Sequence, residues 1–396
     1  MSKILLAWEL GENWGHLARD LPVVRALCGR GHQVVGAVSD TRVAGEILGA
    51  AGIPFVQAPM AASRTRMTQP LASYAELLIT RGYGERATLG GLIAAWRGLF
   101  TLFRPDVVMI DYAPTALLAA RIHGIPVVLI GNGFELPPRS SPLPSLRFWE
   151  PIPKERFEHA EGLALCHINE VLVSCHSEPL AQLADVFQGE HRILTTFSEL
   201  DHYGARQDGN YVGPVYEMPK AQRVEWPLGG HGSHIFAYLR PWVPGVEDLL
   251  WALQATGCSV ICAFPGGSAA LIQRFQTPLL RIFPMAVSLE SLLPTADLVI
   301  GYGSGLVATA LLRGVPLLLV PRWSEQYLTA QRVEALGAGL MMRGPPTQAS
   351  YSSLIATALG TPKFRTAAQA FAKKYEGFDG AQSVTDTVAC IERAIP

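Results

Sequence analysis

Asp297–Gly339 reads DLVIGYGSGLVATALLRGVPLLLVPRWSEQYLTAQRVEALGAG, and a strand, a glycine turn, a helix, a second strand and a second helix follow one another within it. Leu298 to Ile300 is a short apolar run ending in Gly301, Gly303 and Gly305, and helical apolar spacing then continues to Gly314. Gly305 removes a side chain where the helix begins. Backbone N–H groups and the positive end of the helix dipole therefore stay open to an anion such as a diphosphate. The next strand, Pro316 to Val320, ends at Pro321 and feeds a loop carrying Glu325 and Gln326. A carboxylate beside an amide suits sugar hydroxyls, which both donate and accept hydrogen bonds.

A chain of 396 residues exceeds one ordinary core and predicts two domains of about 200 residues each. Apolar residues make up 49% of it, so burial is not limiting, and a net charge of −1 argues against a protein that holds nucleic acid or an anionic bilayer by bulk electrostatics, local patches aside. The six cysteines form no CxxC pair and no zinc-like spacing, which fits a reduced cytoplasm. The N-terminus, MSKILLAWELGENWGH, is too short in its apolar run for a signal sequence or a transmembrane segment. It reads as a first strand, Ile4 to Trp8.

From Leu17 through Leu21, Val24 and Cys28 the apolar residues recur at helical spacing, which puts His16 at the mouth of the first strand-to-helix turn. A strand at Gln33 to Val38, a helix at about Val43 to Ala50 and a strand at Pro54 to Val56 continue the alternation, which indicates a parallel doubly wound α/β sheet. In such a sheet ligands bind beyond the carboxyl ends of the strands. Met60 to Gly91, with Arg64, Arg66, Tyr74, Arg81, Tyr83 and Arg86, lacks clear periodicity and is either a solvated helix pair or part of a pocket. Strand Val107 to Ile110 ends at Asp111, which either N-caps a helix starting near Thr115 or faces the same sheet edge as His16. After strand Val127 to Ile130, Phe134, Phe148 and Trp149 lie in a proline-rich segment and either line a pocket or cover the end of the sheet. The spacing predicts a long helical region from Glu155 to Phe187 and a strand at Arg192 to Thr196.

Glycines and prolines then mark a boundary, giving a first domain at 1–212, a linker at 213–230 and a second domain at 231–396. In the second domain the alternation restarts with strand His234 to Leu239, helix Gly245 to Ala255, strand Ser259 to Phe264, helix Ala269 to Phe275 and strand Leu280 to Phe283. A helical region from about Ala368 to Ile395 ends the chain.

The ordered series of Gly-Ser-Gly, helix, Gly314-Val315-Pro316, Pro321, Glu325-Gln326, Ala330 and Arg332 resembles the donor-binding signature of the UDP-glycosyltransferase superfamily. Gly15-His16 before a helix is similar to that family's GHxxP segment, with Pro22 two residues later than the shortest form. The resemblance implies a GT-B fold, two Rossmann-like doubly wound domains facing across a cleft, with the last helix crossing back to the first domain. It implies inverting transfer of a hexose-type sugar from a UDP-sugar, or a dTDP-sugar, to a hydroxyl acceptor that is a small natural product or a lipid. His16 would be the general base and Asp111 its orienting partner. Gly303, Ser304, Gly305 and Leu306 would meet the diphosphate, Glu325 and Gln326 the sugar, and Phe283 the base of the nucleotide. Trp14, Phe134, Phe148 and Trp149 are the acceptor-binding candidates. No aspartate-rich metal motif is present, so neither a cofactor nor a metal is expected.

The chain departs from the family pattern at three places. Gly301 stands where relatives carry a histidine that contacts the diphosphate, Thr309 where they carry glutamate, and Tyr238-Leu239-Arg240-Pro241 replaces a serine and glycine turn. Arg240 is the candidate replacement for the histidine, because a guanidinium can bond two phosphate oxygens at once. Two other function classes fit the same scaffold: a nucleotide-sugar epimerase, and a non-catalytic nucleotide-sugar-binding accessory protein.

Overall fold

The computed structural model describes every residue except 12–13, 63–64, 216–220 and 231. Arg64, Pro219 and the middle of the 213–230 segment lie outside the described residues. The chain divides into two compact units, residues 1–217 with 379–396 and residues 218–378.

In the first unit the strands are β1 (Lys3–Trp8), β2 (Gln33–Val38), β3 (Phe55–Gln57), β4 (Val107–Asp111), β5 (Val127–Gly131) and β6 (His191–Leu194). They form one sheet in the order β3-β2-β1-β4-β5-β6, with each neighbouring pair parallel. Strands buried on both faces read as apolar runs, and KILLAW and VVMID are of that kind. The connections carry α1 (Gly15–Gly29), α2 (Thr41–Ile47), α3 (Tyr74–Leu78), α4 (Arg86–Phe103), α5 (Pro114–His123) and α6 (Lys154–Ser174).

The second unit repeats the scheme with β7 (His234–Tyr238), β8 (Ser259–Ala263), β9 (Leu280–Phe283), β10 (Leu298–Gly301), β11 (Leu317–Leu319) and β12 (Gly339–Met341), in the order β12-β11-β10-β7-β8-β9. Its helices are α7 (Val246–Ala255), α8 (Ala269–Phe275), α9 (Ser304–Leu312), α10 (Ser324–Ala335), α11 (Gln348–Gly360) and α12 (Pro362–Lys374). Both sheets have the Rossmann-like order, in which the chain runs outward from a first central strand and then crosses back to the other side. The crevice at that reversal lies between β1 and β4 in the first unit and between β7 and β10 in the second, and ligands bind at such switch points.

The last helix, α13 (Gly380–Arg393), belongs to the first unit. Val388 and Ile391 join Leu17, Leu21 and Val24 of α1 in one apolar core, and Arg30 Nη1 donates to Glu392 at 2.7 Å. The terminal region is thus two helices rather than one. The break falls at Gly377 to Asp379, where the Asp379 carboxylate caps α13 by accepting from Ala381 N at 2.8 Å.

Three further expectations are corrected. The helix expected to reach Phe187 stops at Ser174, where His176 takes a left-handed backbone (φ 58°) and Ser177 N closes back on the Leu172 carbonyl at 2.9 Å, and only a short 3-10 turn at Leu183–Phe187 follows. The region from Met60 to Gly91 is not a solvated helix pair: Tyr74 and Tyr83 are fully buried, and Arg156 clamps the buried Glu76 carboxylate at 2.6 and 2.9 Å. Periodicity fails there because α3 runs into a π-helical turn at Ile79–Tyr83 with Gly82 at φ 109°, which shifts the buried face. Asp111 does not cap α5, which starts at Pro114 with Ala113 as N-cap. The buried Glu9 carboxylate takes that role, accepting from Thr115 N at 2.9 Å and from Thr115 Oγ1. Burial pushes the Glu9 carboxyl up from 4.5 to about 7, against the lowering effect of those bonds.

Candidate active site

The parallel register pairs Trp8 of β1 with Asp111 of β4, so the carboxyl ends of the two central strands lie side by side. His16 enters from the first turn of α1, and its Nδ1 lies 3.0 and 2.9 Å from the two Asp111 oxygens. A carboxylate at that distance requires Nδ1 to carry the hydrogen and donate it, which leaves Nε2 as the basic nitrogen. The ring lies between two others, with Trp8 at 5.3 Å and Tyr112 at 5.8 Å between centroids, both nearly parallel to it. Tyr112 takes a left-handed backbone, φ 48°, immediately after Asp111. Gly11 lies directly against Nε2, where a Cβ would come within 2.3 Å of that atom, and its φ of 86° also favours glycine.

Behind the His16 and Asp111 pair sits a buried charged cluster that sequence reasoning missed. Arg19, the next α1 residue on that face, bonds Asp111 Oδ1 through Nη2 and Glu135 Oε1 through Nη1 at 3.2 Å. Its Nη2 is also 3.3 Å from His16 Nδ1, but two donors facing one another do not form a hydrogen bond. Glu135 is held in turn by Asn132 N at 2.8 Å. Burial alone would raise the Asp111 carboxyl, yet the Arg19 guanidinium and the His16 ring outweigh it and hold Asp111 below its usual range. Asp20, fully buried beside Asp111, is pushed the other way by burial and by the Asp111 charge. Neither Asp20 oxygen has a hydrogen-bond partner as a carboxylate, and protonation gives it Asp111 as an acceptor. His16, Asp111 and Glu135 offer ligand atoms within 4.8 Å of one another. The Arg19 guanidinium bonds both of these carboxylates. The signal for this cluster was visible as Arg19-Asp20 among buried helix positions, and as a glutamate just past the end of β5.

In the second unit the Gly-Ser-Gly turn joins β10 to α9. Gly303 is the N-cap, Ser304 opens the helix, Gly305 and Leu306 follow, and no side chain caps this end. At Gly301 a Cβ would come within 2.5 Å of Leu306 Cδ2, so the family's histidine would require the Leu306 side chain to turn aside. Thr309 turns its hydroxyl back to the Gly305 carbonyl at 2.8 Å. Arg240, just beyond β7, lies across the switch point from this turn. Its guanidinium stands 5.9 Å over the Tyr238 ring, donates to the Pro265 carbonyl at 3.4 Å and bonds the Tyr302 hydroxyl. Burial raises the Tyr302 phenol and Arg240 opposes the rise. Phe283 ends β9 half-buried, with Arg281 5.3 Å over its ring.

Gln326 is buried, and its amide oxygen accepts from Arg322 N at 2.9 Å and Trp323 N at 3.5 Å. It therefore closes the first turn of α10 from inside the helix. Ser324 is the first helical residue and Trp323 is the N-cap. Glu325 Oε1 lies 3.4 Å from Thr329 Oγ1.

The aromatic acceptor candidates are not gathered together. Trp14 packs against the core of the first unit. Phe134 is buried and meets Tyr74, Tyr112 and His202, with ring centroids 5.8 to 6.2 Å apart. Phe148 and Trp149 are exposed and contact each other edge to face, with Arg147 over Trp149 at 5.0 Å. Among the described residues no helix is long and apolar enough to cross a membrane.

Two Rossmann-like units, each with polar groups at its switch point, define the GT-B class of glycosyltransferase fold. Solved structures bear this out. A glycotransferase of kitacinnamycin superposes with a TM-score of 0.70 at 18% identity, covering 100% of this chain and 99% of its own. The spinosyn rhamnosyltransferase SpnG does so at 0.66 and 20%, covering 98% and 100%, and is also known in complexes with thymidine diphosphate and with spinosyn aglycone. The family described as erythromycin biosynthesis protein CIII-like, C-terminal domain, matches residues 249–385. A PGL/p-HBAD biosynthesis glycosyltransferase of Mycobacterium tuberculosis is 24% identical over 326 residues, 74% of this chain and 72% of that protein. The matched proteins are glycosyltransferases, and glycosyl transfer is the activity class that these matches support.

Proposed function

We propose that the protein transfers a hexose-type sugar from a nucleoside diphosphate donor to a hydroxyl group of a small natural product or lipid, with inversion at the anomeric carbon. The observation that carries this reading is the His16 and Asp111 pair at the switch point of the first sheet, with Nδ1 bound at 2.9 Å and Nε2 left as the base. His16 Nε2 takes the acceptor proton while the acceptor oxygen attacks the anomeric carbon, and Asp111 stabilises the imidazolium that forms. The leaving diphosphate is met by the uncapped N-terminus of α9 and by Arg240, which supplies the positive charge that the family's histidine supplies elsewhere. Phe283 offers a ring face to the nucleotide base, and Glu325 with the Gln326 amide nitrogen faces the sugar. The donor is a UDP-sugar or a dTDP-sugar, and the SpnG complex with thymidine diphosphate keeps the second beside the first. No metal has a role in this scheme.

The test is incubation with UDP- and dTDP-hexoses, with and without a panel of hydroxyl acceptors, reading nucleoside diphosphate release and glycosylated product. Release that depends on acceptor is the expected result. An epimerised donor without acceptor, or donor binding with no turnover, refutes the proposal in favour of an epimerase or an accessory protein.

A further inference from the structure

Glu135 belongs to no helix or strand, yet the loop that carries it is fixed carbonyl by carbonyl. After β5, the Asn132 carbonyl accepts from His202 Nδ1 at 3.2 Å, the Gly133 carbonyl from Arg206 Nη2 at 3.2 Å and the Phe134 carbonyl from the Tyr203 hydroxyl at 3.3 Å. The Glu135 carbonyl accepts from the Tyr74 hydroxyl at 3.3 Å, and the Leu136 carbonyl from Arg206 Nη1 at 2.5 Å. Arg206 is itself anchored, because the fully buried Asp201 carboxylate accepts from its Nη2 at 3.0 Å. Five successive carbonyls held by side chains from other segments fix the backbone from which the Glu135 carboxylate projects.

The charges around that carboxylate do not cancel. Arg19 and Asp111, both buried, already balance one positive charge against one negative. Burial and the Asp111 charge hold Asp20 in its protonated form, with Glu135 the least of the groups acting on it. Glu135, also buried, adds a second negative charge to the cluster through its bond with Arg19 Nη1 at 3.2 Å. A buried cluster serving stability alone would stop at neutrality, since an uncompensated charge away from water costs free energy. The excess charge lies beside the proposed base: a Glu135 oxygen, an Asp111 oxygen and a His16 ring nitrogen are all within 4.8 Å of one another. Among the described residues, the charged or titratable groups about the His16 ring are Asp111 and Tyr112 from the end of β4, Arg19 and Asp20 from α1, and Glu135. Of these, Asp111 and Glu135 are the anions, and Glu135 restores the negative charge that Arg19 offsets at Asp111.

We propose that Glu135 is a positioning residue for the His16 base: its carboxylate engages one edge of the Arg19 guanidinium while the other edge holds Asp111, and its charge favours the imidazolium. This deepens the proposed sugar transfer and rests on the general-base role of His16 in it. The effect of the charge on the ring can be observed without any substrate.

Heteronuclear NMR of the full chain with isotope-labelled histidine follows the His16 ring against pH, and the spectrum of His16→Gln identifies its signals. Unit charges 4.8 Å apart interact by the equivalent of about 0.6 pH unit in bulk water and about 2.5 pH units at an effective dielectric of about 20. Glu135→Gln removes a charge that favours the imidazolium, so the ring should titrate at lower pH than in the wild type by an amount within that range. Glu135→Met loses the same charge on an apolar chain and should shift the same way, which keeps the test decisive if the Gln variant does not fold. Glu135→Asp keeps the charge and should stay closest to wild type, even where urea unfolding shows it to be less stable. An unchanged titration in a folded Gln or Met variant, or an Asp variant shifted as far as they are, overturns the inference. Acceptor-dependent release of nucleoside diphosphate from UDP- and dTDP-hexoses is measured separately. Its absence from the wild type, with the NMR shift intact, refutes sugar transfer and leaves the action of Glu135 on His16 standing. Turnover by the wild type with no NMR shift in the variants does the reverse.

Discussion

Replacing Asp111 by Asn probes the proposed base directly. The Asp111 oxygens lie 2.9 and 3.0 Å from His16 Nδ1 in a fully buried setting. When His16 takes a proton, imidazolium and carboxylate form a pair with charge centres about 4 Å apart, worth about 4 kcal/mol at an effective dielectric of about 20. Asparagine keeps an oxygen for the Nδ1 hydrogen and loses the charge, so kcat should fall about 10³-fold. Stability should fall less than the roughly 3 to 5 kcal/mol expected when one partner of a buried ion pair is removed. The reason is Asp20, whose proton is held partly by the Asp111 charge. Once that charge is gone Asp20 can ionise, and it lies 3.8 Å from Arg19 Nε. Asp20 restores a counterion to Arg19 but not to His16, so activity and stability part company. The assay is single-turnover sugar transfer below the melting temperature of the variant, with nucleoside diphosphate affinity measured alongside. A folded Asp111→Asn protein with near wild-type kcat refutes the reasoning. So does a His16→Ala, Asp111→Asn double variant whose losses multiply, since residues acting as one unit are non-additive.

Glu9 makes stability depend on pH. Its folded pKa of about 7 lies above 4.5, so the folded state holds the extra proton, and its contribution is full below 4.5 and lost as pH rises through about 7. The full effect is about 3 kcal/mol, and urea unfolding across that range should show Glu9→Gln flattening the decline; an unaltered pH dependence would count against Glu9. Arg240→Met removes the proposed diphosphate charge and keeps much of the side-chain length, so affinity for UDP or dTDP should fall about tenfold or more. Calorimetry reads this directly, and unchanged affinity would move the assignment to the Tyr302 hydroxyl.

Much of the scaffold was legible because strands buried on both faces are continuous apolar runs. The sequence places β2, α8 and β9 at Gln33–Val38, Ala269–Phe275 and Leu280–Phe283, and the structure has the same bounds. His16 and Asp111 were legible as a pair for a related reason: Asp111 ends one strand of a parallel sheet and His16 opens the helix after another, and strand ends converge on one edge. Residues whose position depends on contacts distant in sequence were not legible. Arg19 and Glu135 meet across 116 positions, and no local pattern relates them. β12 has only three residues, GLM, too few to show a period. Tyr74 and Tyr83 looked like an irregular surface because a π-helical turn between them breaks the 3.6-residue repeat. Gln326 is a different case, since its place three residues into a helix is also the place from which a side chain reaches back to the N-cap, and both roles draw on the same amide.

The charge balance of the buried cluster gives the sequence detail around His16 a physical purpose. With Asp20 protonated and His16 neutral, Arg19 carries one positive charge against the two negative charges of Asp111 and Glu135, leaving one net negative charge in a region closed to water. That excess is unfavourable at rest, and Arg19 limits it by bonding both carboxylates. When His16 accepts a proton the cluster becomes neutral. The resting state is therefore electrostatically strained in the direction that protonation relieves, and the relief comes when charge develops on the acceptor oxygen. An apolar residue in place of Arg19 would leave two adjacent buried carboxylates, which would share a proton, and Asp111 would then no longer offer His16 a full negative charge. On the proposed mechanism, a dyad without Arg19 would lose the Asp111 charge that supports His16 as the base, and the guanidinium at this buried helix position preserves it.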